Sequence, residues 1–266
     1  MLICIDAGNS TIIYAIYKEK ELVCTFKTLT KETTSLKKMY DDFMLALNEF
    51  GLLLYDMEFA MIASVVDKLN PIFQEFCKKI NIECYFIDYT SPLGLDNLLE
   101  DKTSVEADVL VQAYQATKKC PVPLVVVDFG TTTTITLINE NKEIEGIVSY
   151  LGIGKAIKEL NSNSSMGYSL AFEFKDSILG KNNHDSLENG LLYGTTYAIN
   201  GIISQIREEH DYEYMNVIVT GGIGHYIYPF IDGATYDENL IIDGLNDIYQ
   251  DIGKRLNLRT KDIKSF

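Results

Sequence analysis

One feature restricts this chain more than any other: it contains the same strand–turn–strand twice. Residues 3–12 (Ile-Cys-Ile-Asp-Ala-Gly-Asn-Ser-Thr-Ile) align without a gap on residues 125–134 (Val-Val-Val-Asp-Phe-Gly-Thr-Thr-Thr-Thr), 122 positions later. In each copy an apolar run ends in Asp-x-Gly, followed by small hydroxyl or amide residues. A second apolar stretch, a polar turn (18–21; 139–143) and a third stretch (22–26; 144–148) complete a β-meander. Two copies imply two similar lobes. The helix-breaking segment Lys118-Lys119-Cys120-Pro121-Val122-Pro123 places the boundary near 118–124, giving lobes 1–120 and 121–266.

Between and after the meanders the pattern alternates. Apolar residues at Leu36, Met39, Tyr40, Phe43, Leu47 and Phe50 predict an amphipathic helix over 35–50. Strands are expected at 58–66, 84–88 and 217–220. Helices are expected from Asn70-Pro71 onward, over 104–120 with Ser104 as cap, and over 154–160, 187–209 and 245–255, with a polar stretch at 161–167. Strands alternating with helices after each meander give a two-lobed, mixed-sheet α/β fold.

Bulk chemistry removes several function classes. With 38 acidic against 23 basic residues the net charge is −15, which repels nucleic acid and anionic membranes. No apolar run approaches the roughly 20 residues of a membrane span, and Met1-Leu2-Ile3-Cys4-Ile5-Asp6 has no basic flank of a signal peptide, so a cytoplasmic location is expected. Five cysteines without a C-x-x-C pair argue against a disulfide framework or structural zinc. His184, His210 and His225 lack metal-motif spacing.

The two Asp-x-Gly turns carry the chemistry. A tight turn at Gly8 lets backbone approach a bulky anion, and the N–H and hydroxyl groups of Asn9, Ser10 and Thr11 can donate to it. Asp6 at the strand end can hold Mg²⁺, directly or through water. Alone, this reads as an ordinary hairpin with Asn-Ser turn chemistry. The second Asp-x-Gly at the matching place, Asp128-Phe129-Gly130, is what the ordinary reading leaves unexplained. Two facing acidic turns would supply the positioning and charge neutralisation that phosphoryl transfer needs. Thr220-Gly221-Gly222, after a strand, would let a base or phosphate lie against backbone. Gly152-Ile153-Gly154-Lys155 lacks phosphate-loop spacing, and no dinucleotide fingerprint is present.

Asp-x-Gly-Asn-Ser, Asp-Phe-Gly-Thr-x-Thr-Thr and Thr-Gly-Gly in this order resemble the type III pantothenate kinases, of the actin, sugar-kinase and heat-shock ATPase superfamily. Ala63-Ser64-Val65-Val66, Ala107-Asp108, 146–154 and 180–190 extend the likeness. It implies two ribonuclease-H-like lobes with five-stranded mixed sheets, a homodimer whose site is completed across the interface, and ATP-dependent phosphorylation of pantothenate, the first step of coenzyme A biosynthesis. By position, Asp6, Gly8, Asn9, Ser10, Thr11, Gly130, Thr131, Thr133, Gly221 and Gly222 would hold the nucleotide, with Mg²⁺ at Asp6 and a monovalent cation (K⁺ or NH₄⁺) at Asp128. Asp108 would be the general base, and Glu106, Ala107, Val109 and Asn183 would meet the substrate.

The chain departs from the family on the substrate side. Glu106-Ala107-Asp108-Val109 stands where the family has Gly-Ala-Asp-Arg, and Asn183 replaces a threonine. Leu151-Gly152-Ile153 and Ser186-Leu187 also differ from the family's Pro-Gly-Ile and Ser-Met. The lost arginine would pair with the pantothenate carboxylate, and Lys155, Lys158 and Lys181 are candidates to replace it. A kinase for another small hydroxylated metabolite and a non-catalytic nucleotide-binding or regulatory homologue are the alternative readings.

Overall fold

The computed structural model describes residues 1–162, 167, 169 and 171–253. Residues 163–166 of the expected polar stretch at 161–167 and the end of the closing helix, residues 254–255, lie outside them. The first meander is β1 (Leu2–Ala7), β2 (Thr11–Lys18) and β3 (Glu21–Leu29), followed by α1 (Leu36–Glu49), β4 (Phe59–Ser64), α2 (Asn70–Lys79), β5 (Glu83–Phe86), the short β6 (Asp96–Asn97) and α3 (Ala107–Lys119). The second is β7 (Leu124–Phe129), β8 (Thr132–Ile138) and β9 (Glu143–Leu151). After it come α4 (Ile153–Ser162), α5 (Asn183–Glu209), β10 (Asn216–Thr220), α6 (Gly224–Ile227), β11 (Ala234–Tyr236) and α7 (Leu240–Ile248).

The duplication is visible in the hydrogen bonding. One sheet has the order β3-β2-β1-β4-β5 and the other β11-β10-β7-β8-β9-β6. Reversed, the second reads β9-β8-β7-β10-β11 behind one extra edge strand, so each unit repeats the same five-strand plan. In both, the first strand pairs antiparallel with the second and parallel with the fourth. The five strands expected per lobe are therefore present, and β6 adds a sixth to the second sheet by pairing parallel with β9.

In the first unit, Ile3, Ile5 and Ala7 of β1 face Met39, Phe43 and Leu47 of α1 and Phe73, Phe76 and Cys77 of α2. Phe43 is the hub of this face, edge-on to Tyr14, Phe26 and Phe76. The opposite face of the sheet is covered by α7, which returns from the far end of the chain. The Tyr17 hydroxyl donates to Asp243 at 2.6 Å and that of Tyr114 to Asp251 at 2.5 Å. Gly244 lies so close to α3 that a Cβ there would be 2.7 Å from Val111. Cover on both faces explains why β1 is a continuous apolar run rather than an alternating one.

Two compact units result. The first comprises Met1–Leu95, Glu100–Gln115 and Leu240–Phe266, the second Asp96–Leu99 and Ala116–Asn239. This differs from the expected division into 1–120 and 121–266: α7 joins the first unit because its apolar face and Asp243 find partners there. The second unit packs Val125, Val127, Phe129, Ile135 and Leu137 against Leu192, Ile199 and Ile203, one stripe of α5. Among the described residues no helix is long and apolar enough to cross a membrane, and the five cysteines are free thiols.

Local chemistry sets the helix ends. The Ser35 hydroxyl accepts from the Lys38 amide and caps α1, and Pro71 occupies the first turn of α2. Ser104 was expected to cap α3 and does not. It closes a 3-10 turn by donating to the Asp101 carbonyl at 2.6 Å, and α3 starts three residues later. α5 begins earlier than its apolar pattern, because Asn182 accepts from the Asp185 amide.

Candidate nucleotide and acceptor sites

In the first unit the β1–β2 connection is a closed loop. The Gly8 amide donates to the Thr11 carbonyl at 3.0 Å, and a Cβ at Gly8 would sit only 3.3 Å from that oxygen. Thr30, just past β3, is buried and clamps the loop twice. Its amide donates to the Ser10 carbonyl at 3.1 Å and its hydroxyl to the Gly8 carbonyl at 2.6 Å. Asn9 and Ser10 are exposed at the tip, with Asp6 at the strand end beneath. Nothing in the sequence motif itself pointed to Thr30. Its partners lie some twenty residues upstream and become neighbours only when β3 pairs with β2. Thr30→Val keeps the shape and removes the clamp. The expected cost is about 1–2 kcal/mol in urea unfolding, with a several-fold rise in KM for ATP; an unchanged KM would count against a nucleotide role for this loop.

The same unit holds a cavity of about 350 Å³ between the β4 end (Ser64, Val65), the β5 end (Phe86 to Tyr89) and the segment Thr103 to Ala107 that leads into α3. Glu106 and Ala107 are in its wall. Asp108 is half-buried in the first turn of α3, where its carboxylate accepts from the Val109 amide at 2.8 Å and the helix N-terminus favours negative charge. Val109 is turned into the core, 5% exposed, and is not part of the cavity wall. The residue where the family carries its arginine thus packs among α3's apolar neighbours.

In the second unit three glycine-bearing segments converge on one turn. The Gly130 amide donates to the Thr132 carbonyl at 3.0 Å, closing the β7–β8 connection. The Gly152 amide donates to the Thr131 carbonyl at 3.1 Å, and a Cβ at Gly152 would lie 2.5 Å from the Gly130 carbonyl oxygen. Gly221, at φ +85°, would place a Cβ 2.6 Å from the Phe129 carbonyl oxygen and 2.7 Å from the Asp128 carboxylate. The strand β10 that ends there runs beside β7 with Thr220 opposite Asp128. Asp128, Gly130, Thr131 and Gly221 therefore share one locality, Gly222 is exposed beside them, and α4 begins directly against the turn.

The second turn is one residue shorter than the first, which corrects the gapless alignment beyond Asp-x-Gly. Thr11 and Thr132 occupy equivalent places, each accepting from the turn glycine, while Ile12 opposite Ala7 matches Thr133 opposite Phe129. Thr133, expected to touch nucleotide, is accordingly a core residue at 0% exposure, and exposed Thr132 takes its place at the surface.

Asn183 opens α5 and is exposed, as are Lys155, Lys158 and Lys181; all four belong to the second unit. His184, Asp185 and Glu188 bring one ligand atom each within 4.8 Å of one another, a local grouping that motif spacing does not reveal. Asp185 already holds a cation of the chain, Lys175, at 2.6 Å, which keeps its carboxyl below the usual range. Buried Glu188 accepts the Ala171 and Phe172 amides and so fastens that segment to α5.

The family model for type III pantothenate kinase matches residues 2–205. The chain belongs to this family. Type III pantothenate kinases of Finegoldia magna and Thermomicrobium roseum are 30% and 28% identical to it, each over 262 residues; both alignments cover 96% of this chain, and 98% and 99% of those proteins. Solved structures give the fold. A protein of Campylobacter jejuni assigned to the Baf family of transcriptional activators aligns at TM-score 0.59 and 19% identity, covering 95% of this chain and 99% of that one. A protein of Sinorhizobium meliloti assigned as a 2-dehydro-3-deoxygalactonokinase aligns at 0.57 and 11%, covering 95% and 97%. Membership makes the chain a phosphotransferase, and the Asp-x-Gly turns described above fall within the matched residues.

Proposed function

We propose that this enzyme phosphorylates the primary hydroxyl of pantothenate with ATP, supplying 4'-phosphopantothenate for coenzyme A biosynthesis. The observation that carries the reading is Asp108 at the N-terminal turn of α3, next in the chain to a cavity of about 350 Å³ walled by Glu106 and Ala107. Such a volume matches a small metabolite. Asp108 accepts the hydroxyl proton as that oxygen forms its bond to the γ-phosphorus and the bond to the β,γ-bridging oxygen breaks, releasing ADP.

Asp6, Gly8, Asn9, Ser10 and Thr11 hold the phosphates, the closed backbone of the loop presenting N–H groups and hydroxyls. Asp6 and the neighbouring hydroxyls form the hard-oxygen donor set that suits Mg²⁺, which neutralises phosphate charge when bound. Asp128 binds the monovalent cation, and Gly130, Thr131, Gly221 and Gly222 meet the nucleotide, with Thr132 in place of Thr133. The enzyme acts as a cytoplasmic homodimer, with no affinity for nucleic acid or membrane, in keeping with its net charge of −15. The deciding measurement is ADP release in a coupled assay with ATP, Mg²⁺ and millimolar pantothenate, with and without K⁺. Turnover that requires pantothenate and rises with K⁺ is expected; ADP release independent of pantothenate would overturn the assignment.

A further inference from the structure

The first turns of α5 gather His184, Asp185 and Glu188, none of which the kinase reading uses. The Glu188 side chain is 1% exposed. Its Oε1 accepts the Ala171 and Phe172 amides at 2.8 and 2.9 Å, while its Oε2 is buried with no hydrogen-bond partner among the described residues. A carboxylate oxygen taken out of water is costly unless positive charge meets it. What faces Oε2 is the Nδ1 of His184 at 3.8 Å, beyond hydrogen-bond reach. The same nitrogen lies 3.9 Å from Asp185 Oδ1.

The other ring nitrogen decides what Nδ1 can do. His184 Nε2 is 2.8 Å from the Ser169 carbonyl, which only accepts, so Nε2 carries a proton. In the neutral ring Nδ1 then holds a lone pair beside two carboxylates. An imidazole whose far N–H is fixed by a backbone carbonyl is the arrangement of a metal-ligating histidine. Ligands of one small divalent ion stand about 3–3.5 Å apart, so a closure of roughly half an ångström suffices. His184 and Asp185, with side chains 48% and 27% exposed, have room for it.

We propose that His184 Nδ1, Asp185 and Glu188 Oε2 bind a divalent transition ion of the zinc class, with water completing its coordination. One imidazole nitrogen and two carboxylate oxygens suit Zn²⁺, whereas Mg²⁺ and Ca²⁺ favour oxygen alone. The ion supplies the charge that Glu188 Oε2 lacks and ties Ser169, Ala171 and Phe172 more firmly to α5. Its competitor is Lys175, whose ammonium lies 2.6 Å from Asp185 Oδ1.

The test uses full-length protein stripped of metal and kept in excess Mg²⁺, titrated with Zn²⁺ against a chromophoric chelator. One equivalent is expected to bind. His184→Ala, at an exposed position where folding is not at stake, should weaken it by at least the roughly tenfold to hundredfold that loss of an outer partner costs. Glu188→Gln, which keeps an oxygen for the two amides, should do the same. Lys175→Met should tighten binding about three- to tenfold by removing the competing charge. Co²⁺ in place of Zn²⁺ should give visible ligand-field bands that His184→Ala abolishes. Wild-type affinity in His184→Ala, or a thiolate charge-transfer band that moves the ion to the cysteines, overturns the site. Unchanged or weaker binding in Lys175→Met overturns the use of Asp185 as a ligand.

Discussion

Asp108→Asn is expected to lower kcat about a hundred- to ten-thousand-fold while leaving nucleotide affinity within about twofold. The two side chains have the same shape, and the oxygen that accepts the Val109 amide at 2.8 Å is retained, so the start of α3 stays in place. What is lost is the capacity to take a proton, together with a charge beside the helix N-terminus that contributes roughly 0.3–1 kcal/mol. A large kinetic effect beside a small stability effect separates a reacting group from a structural one. Steady-state ADP release and a fluorescent-nucleotide titration on the same preparation provide both numbers. A variant within threefold of wild-type kcat would remove Asp108 from the chemistry.

Gly221→Ala should be strongly damaging to the second unit. At φ +85° any L side chain is strained, and the new Cβ would be 2.6 Å from the Phe129 carbonyl oxygen and 2.8 Å from its carbon. Both are backbone atoms of β7, which is paired on both sides and cannot yield. The third neighbour, the Asp128 carboxylate at 2.7 Å, is the group proposed to hold the monovalent cation. The expected loss is about 2–4 kcal/mol in urea unfolding, with any remaining activity losing its response to K⁺. Gly222→Ala is the control: a Cβ there meets nothing within 4 Å, and a change within about 0.5 kcal/mol is expected. Equal effects at the two positions would refute the steric account.

The parts of the molecule that could be read from sequence are those whose physics is local. A continuous apolar run stopped by Asp-x-Gly is a buried strand ending at a turn, and two such runs at a fixed offset mean two copies of one sheet. The helix stripe at Met39, Phe43 and Leu47 needed only its own period. Convergence of Gly221 on Asp128 was foreshadowed by a double glycine after a strand, although the sequence does not say what approaches it. Features set by distant partners were not legible. The single-residue contraction of the second turn is invisible in a run of four threonines, so a core position was mistaken for a ligand contact. Thr30 and Gly152 act on loops far from them in the chain. The short β6 and β11 carry too few residues for any periodicity. The place of α7 depends on Tyr17, over two hundred residues away.

That last placement has a bearing on synthesis. Because the sheet formed by the first residues is roofed by residues 240–253, a ribosome must deliver those residues before the first unit can finish burying Leu2, Cys4 and Tyr17. The later-made half lacks only β6 from upstream and can consolidate first. The order of maturation is then the reverse of the order of translation, and nascent chains stalled short of α7 would present an unroofed sheet to chaperones.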